Sequence, residues 1–179
     1  MYDTEGAKGV QTRLVRRDAE ADADFLEVIF DTFHDHLGRT SIQVNPSGVR
    51  TDAYGPGGSN LDPSWDPVWS VQARIDSLGW TAEIRIPFSQ LRYPHAPDQT
   101  WGLQIWRQEN RTNELSQWSF WRLNESGGPQ RFGHLTGLRI AASPERAEIL
   151  PYVIGRSTNS PPGDAADPFN DPHKVDGRI

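Results

Sequence analysis

Hydrophobic and polar positions alternate in short runs along this chain, and no run carries the three-to-four-residue periodicity of an amphipathic helix. "FLEVIFD" (Phe25 to Asp31) is strand-like and apolar on both faces, as in a central strand. "SIQVN" (Ser41 to Asn45) follows after the turn "HDHLGRT". From Pro46 to Pro67 the chain is mostly Gly, Pro, Asp, Ser and Asn, which predicts a long surface loop. "WGLQIWRQEN", "LSQWSFWRL", "GHLTGLRI" and "AEILPYVIG" predict further strands, and "FSQLRY" a single helical turn that tucks Phe88 and Leu91 inward.

The pair "WSVQARID" and "GWTAEIRIP" carries an internal check. A hairpin about Ser77-Leu78 sets Ile75 against Trp80, Ala73 against Ala82, Val71 against Ile84 and Trp69 against Ile86. Gln72 then meets Glu83 on the other face, and a slip of one residue would break every match. Short strands without a long helix predict an all-β fold, an antiparallel β-sandwich. The polar, proline-rich stretch from Arg156 reads as a linker or tail, leaving residues 1–155 for the domain.

Composition sharpens this picture. The 179 residues include 7 Trp, 16 Gly and 14 Pro with 1 Met, the balance of an aromatic, turn-rich β domain. A net charge of −6 argues against binding to a nucleic-acid backbone. With 0 Cys, disulfides, thiolate metal sites and cysteine nucleophiles are excluded. No apolar run approaches the roughly 18 residues of a membrane helix, and "MYDTEGAKG" lacks the regions of a signal peptide. Serine-nucleophile, phosphate-loop and dinucleotide fingerprints are absent from the sequence.

Candidate chemistry is of three kinds. "DTFHDH" sets His34 and His36 beside Asp31 and Asp35; the spacing alone supplies too few ligands for a transition metal. With Asp18, Asp22 and Asp24, those aspartates offer oxygen to a hard cation such as calcium, or form a solvated acidic rim. Glu83, Glu109, Glu114 and Glu125 are the carboxylates a glycosidase would pair, but Glu83 reads as a cross-strand partner and Glu109 as an ion-pair partner of Arg107 and Arg111. Among the tryptophans, Trp69, Trp80 and Trp101 fall on apolar faces and predict core positions. Trp106 falls on the opposite face between Gln104 and Gln108, an aromatic plate flanked by amides that suits a sugar ring, or else packs against a second sheet. Trp118 and Trp121 point to opposite faces, so one of them at most joins that surface.

"FLEVIFDTFHD", "SIQVNPSG", the hairpin segment through "IPFSQLRY", "WGLQIWRQENRTNE" and "RFGHLTGL", in that order, resemble a family 9 carbohydrate-binding module. The closer likeness is to the version at the N-terminus of bacterial outer-membrane proteins that continue into a β-barrel, and it runs from about Phe25 to Leu150. The resemblance implies a jelly-roll-like sandwich in the cell envelope that binds carbohydrate without cleaving it, with structural calcium in some members and a C-terminal β-barrel as partner. Hydrolysis would then belong to a separate catalytic domain. It implies sugar contacts by Glu27, Gln43, Asn45 and Trp106, with Arg107 a further candidate, and Asp31 closing the E-V-x-x-D pattern. Family members carry earlier strands, so it also implies a fragment. Their two clamp tryptophans have no counterpart here: Ala21 and Ala23 occupy the first region and "NESGGPQ" the second. A structural cap on a barrel, without sugar affinity, is the alternative expectation.

Overall fold

The computed structural model describes residues 1–56, 61–122 and 124–140, together with the backbone of 154–159 and 173–178. The chain divides into two compact units, Met1–Ser143 and Pro144–Ile179.

The first unit is an antiparallel sandwich. Its larger sheet contains β1 (Phe25–Asp31), β2 (Gly38–Val44), β3 (Arg50–Pro56), β6 (Asp98–Glu109), β7 (Glu114–Gln117) and β8 (Gly133–Arg139). The order is β3-β2-β1-β6-β7, and β8 also pairs with β6. Strands β7 and β8 share the far side of β6: β7 pairs with Trp106 to Glu109, and β8 with Asp98 to Leu103. The smaller sheet is the hairpin of β4 (Ser70–Asp76) and β5 (Gly79–Arg85). Its register sets Ile75 on Trp80, Ala73 on Ala82, Val71 on Ile84 and Gln72 on Glu83, as the apolar pattern requires. The N-terminal residues lie along β5, with Tyr2 bridged to Gly79 and the Asp3 N–H bonded to the Leu78 carbonyl.

The core lies between the sheets. Leu26 and Val44 of the large sheet meet Val71, Trp80, Ala82 and Ile84 of the hairpin, with Val10 beside them. A second cluster gathers Phe30, Leu135 and Leu138 around Trp101, Leu91 and Ile140. Trp69, Trp80 and Trp101 are all buried, as their apolar-face positions predict. Burying three such rings is worth several kcal/mol and fixes how the layers meet. One charged group enters this layer: Asp52 is buried, 2.7 Å from Arg17 Nη2, and accepts a 2.9 Å hydrogen bond from Trp69 Nε1.

Three local expectations change. The predicted loop from Pro46 contains strand β3, which hides from a hydrophobicity pattern because "RTDAYGP" is an edge strand held by backbone pairing to β2. The strand expected across 115–123 stops at Gln117, where the Gln104 side chain receives the chain and turns it away. The turn after β5 is a 3-10 turn at Phe88–Gln90; Leu91 is buried beyond it, while Phe88 stays 44% exposed with its ring edge-on to Trp101.

In the second unit, β9 (Ile154–Asn159) and β10 (His173–Arg178) pair antiparallel; all but Ile154 and Gly155 fall in the stretch that composition reads as linker or tail. Most of "AEILPYVIG" lies outside the described residues.

Candidate functional site

The two faces of β1 differ in chemistry. Leu26 and Phe30 belong to the clusters that join the hairpin layer, which sends Glu27, Ile29 and Asp31 to the opposite face because side chains alternate. Registers then define what stands beside each. Thr51 pairs with Gln43, Gln43 with Glu27, Glu27 with Trp106 and Trp106 with Gln117. Thr51, Gln43, Glu27, Trp106 and Gln117 therefore form one continuous row across five strands, on the face turned away from the core. Four strand spacings of about 4.8 Å give the row a span of about 19 Å.

The row is polar and only partly satisfied. Glu27 is 8% exposed and accepts a hydrogen bond from the Ser41 hydroxyl, its diagonal neighbour on β2. Burial pushes its carboxyl above the ordinary glutamate range, against the opposing pulls of the Ser41 hydrogen bond and the Arg39 charge. The Arg39 guanidinium lies over the Trp106 ring, 5.9 Å from its centroid. Trp121, from the loop after β7, stands at 6.3 Å from Trp106 with its plane tilted by 56°. Trp106 Nε1, Gln117 Oε1 and Arg39 Nε are all buried without a hydrogen-bond partner among the described residues. Buried polar atoms are satisfied in the great majority of cases, so three unsatisfied ones around one tryptophan set this face apart chemically.

The loop from Trp118 to Phe132 covers one end of this face. Gln104, fully buried next to the row, donates from Nε2 to the Ser119 carbonyl at 2.6 Å and accepts the Ser119 N–H at 2.8 Å. That amide positions the loop. Gln108 reaches the Asn113 side chain at 3.4 Å. The amides beside Trp106 along its own strand are thus engaged, and those across the strands, Gln43 and Gln117, complete the surface.

The sequence candidates separate accordingly. Glu27, Gln43 and Trp106 come together in the row. Asn45 does not join them: it is 4% exposed, its Oδ1 accepts the N–H groups of Ser47 and Val49, and its Nδ2 donates to the Arg13 carbonyl. These bonds hold the β2–β3 turn and occupy its amide. Arg107 pairs with Leu26 on the core-side face and donates to the Tyr2 carbonyl and Glu109. Glu109 is also bonded to Arg111 at 2.6 Å, an ion-pair role.

Asp31 and Asp35 line a pocket of about 280 Å³ between the turn after β1 and the ends of β2 and β3. Asp31 is 2% exposed and Oδ2 accepts the His36 N–H, while Asp35 Oδ1 accepts the Leu37 N–H. Asp24 is spent on the N–H groups of Gln11 and Asn110, and Asp18 on that of Asp52. Backbone amides thus hold these carboxylates, and among the described residues no group of three His, Cys, Asp or Glu side chains is placed to hold a metal ion.

Sequence reasoning missed Thr51, Gln117, Arg39 and Ser41 as members of the face, and left open which of Trp118 and Trp121 joins it; Trp121 is the one beside Trp106. Thr51 lay in the unrecognised strand, and the rest become neighbours of Glu27 and Trp106 only through the register. No known protein family, curated protein or solved structure matches the chain.

Proposed function

We propose that this protein is a non-catalytic carbohydrate-binding module whose ligand lies along the row Thr51–Gln43–Glu27–Trp106–Gln117. The observation that carries the reading is the group of three unpartnered buried polar atoms around one tryptophan plate. A pyranose offers an apolar C–H face and a rim of hydroxyls; Trp106 and Trp121 supply apolar plates, and the amides, indole N–H and Glu27 carboxylate supply donors and acceptors. An elongated polar row suits an oligosaccharide better than a compact polar solute. Trp121 takes up the stacking role that the family's clamp residues leave vacant in this sequence, in keeping with the resemblance to family 9 modules.

A few hydrogen bonds with one or two stacks give roughly 4–8 kcal/mol, hence millimolar to micromolar affinity. Affinity electrophoresis through gels of plant and bacterial polysaccharides tests the proposal. Retardation by at least one polysaccharide, reversed by its free oligosaccharide, supports it; unretarded migration in every gel counts against it.

A cap on an outer-membrane barrel is the second reading, and the paired strands Ile154–Asn159 and His173–Arg178 favour it, as a β-structured continuation of the module. A cell-envelope location belongs to the same proposal and rests on the resemblance to the outer-membrane version of the module.

A further inference from the structure

One cation of the candidate face stands apart from its counterparts. Arg17, Arg39, Arg50 and Arg107 are the half-buried arginines among the described residues. Arg17 is paired with Asp52 at 2.7 Å, Arg107 donates to the Tyr2 carbonyl at 2.9 Å, and Arg50 donates to the Trp69 carbonyl. The Arg39 side chain makes neither a hydrogen bond nor an ion pair among the described residues, and its Nε is buried without a partner. Its contact is with the Trp106 ring, whose centroid lies 5.9 Å away, at the outer limit of a cation–π interaction. A guanidinium cannot shed its charge, so burying part of it without an anion carries a cost that a bound anion removes.

The nearby carboxylates do not fill that place. Asp31 and Asp35 line the pocket beside Arg39, but they accept the N–H groups of His36 and Leu37. Glu27 feels the Arg39 charge, yet its hydrogen bond comes from the Ser41 hydroxyl.

We infer that the ligand of this face carries a carboxylate on its sugar ring, as a hexuronate unit of an oligosaccharide does, and that Arg39 is the residue that selects it. The inference rests on the carbohydrate reading of the row and names the class of sugar. A pyranose stacked on the Trp106 plate directs its ring substituents to the rim, the side on which the Arg39 guanidinium lies. In a hexuronate the substituent at C5 is a planar carboxylate, which two parallel N–H groups of a guanidinium, Nε included, bind bidentately. A neutral hexose has a hydroxymethyl group there, which engages one donor and leaves the charge uncompensated. The rest of the row tolerates the acid: Thr51, Gln43, Trp106 and Gln117 are uncharged, and burial of Glu27 favours its neutral form.

Calorimetric titration with short oligomers of galacturonate, mannuronate and glucuronate tests the inference, each compared with its methyl ester. The ester keeps the sugar ring and removes the charge. At about 0.15 M salt, distant charges are screened and the local one is read. The parent binds at least one acid about tenfold or more tightly than its ester. Arg39→Gln, shown to be folded by circular dichroism, binds that acid and its ester equally, whereas Arg85→Gln, on the exposed hairpin, keeps the preference. If no acid exceeds its ester while neutral oligosaccharides bind, the inference is overturned and the carbohydrate reading stands. A preference that Arg39→Gln retains in full overturns the role of Arg39. Failure of every oligosaccharide, acidic or neutral, to bind the parent overturns both.

Discussion

Glu27 and Trp106 stand opposite each other on neighbouring antiparallel strands, on the face of the large sheet that turns away from the core. The carboxylate is buried, the indole N–H lacks a partner, and Arg39 lies over the ring. A stability-optimised sheet would place apolar side chains here. Polar groups held without partners lower stability and gain value only when a ligand satisfies them.

Glu27→Gln tests that cost. Burial raises the folded-state pKa of Glu27 above its unfolded value, so its ionised form is the disfavoured one in the fold. Stability linked to this group is complete below the unfolded pKa of about 4.3 and is lost as pH rises through the folded value. The glutamine retains an oxygen for the Ser41 hydroxyl. The variant is therefore expected to be more stable than the parent at pH 7, with the difference vanishing near pH 4. Urea denaturation at both pH values measures it.

Asp52→Ala removes the acceptor of Trp69 Nε1 and the buried anion of Arg17. Arg17 is 29% exposed and keeps Asp66 at 2.6 Å, which softens the loss. The expected cost is about 2–3 kcal/mol, below the full value for breaking a buried pair. It is read as a lower denaturant midpoint at unchanged m-value.

Two glycines with positive φ separate conformational strain from collision. Gly137 (φ 77°) has open space about its Cβ position, so Gly137→Ala carries only the left-handed backbone cost, about 1–2 kcal/mol. Gly79 (φ 142°) holds the hairpin turn against Met1, and a Cβ there runs into the Met1 carbonyl. Gly79→Ala is expected to cost clearly more than Gly137→Ala in thermal melts, with loss of the Tyr2 to Gly79 bridge visible in amide exchange.

The hairpin was legible in the sequence because one face is strictly apolar: Val71, Ala73 and Ile75 have only one register in which they meet Ile84, Ala82 and Trp80. Strand β1 was legible for the opposite reason, an apolar run bounded by turn residues. Strand β3 was not, since pairing through the backbone leaves no side-chain pattern to read. On the candidate face, the shared placement of Glu27, Gln43 and Trp106 was legible from the motifs, but the membership of Gln117 and Trp121 depends on where β7 pairs and where its loop returns. Asn45 and Arg107 show the limit of motif reading. One is used up by a turn and the other points to the opposite face, and only coordinates separate those roles from ligand contact.

The central claim is that carbohydrate lies on the Glu27–Trp106 face. Calorimetric titration of the best-retained oligosaccharide into the parent, Trp106→Ala and Arg107→Ala proteins tests it most directly. The account predicts affinity in the millimolar-to-micromolar range for the parent, a loss of at least about tenfold, or 1.4 kcal/mol, for folded Trp106→Ala, and parental affinity for Arg107→Ala. Equal affinity of Trp106→Ala and the parent, or no heat of binding from the parent with any oligosaccharide, would contradict it.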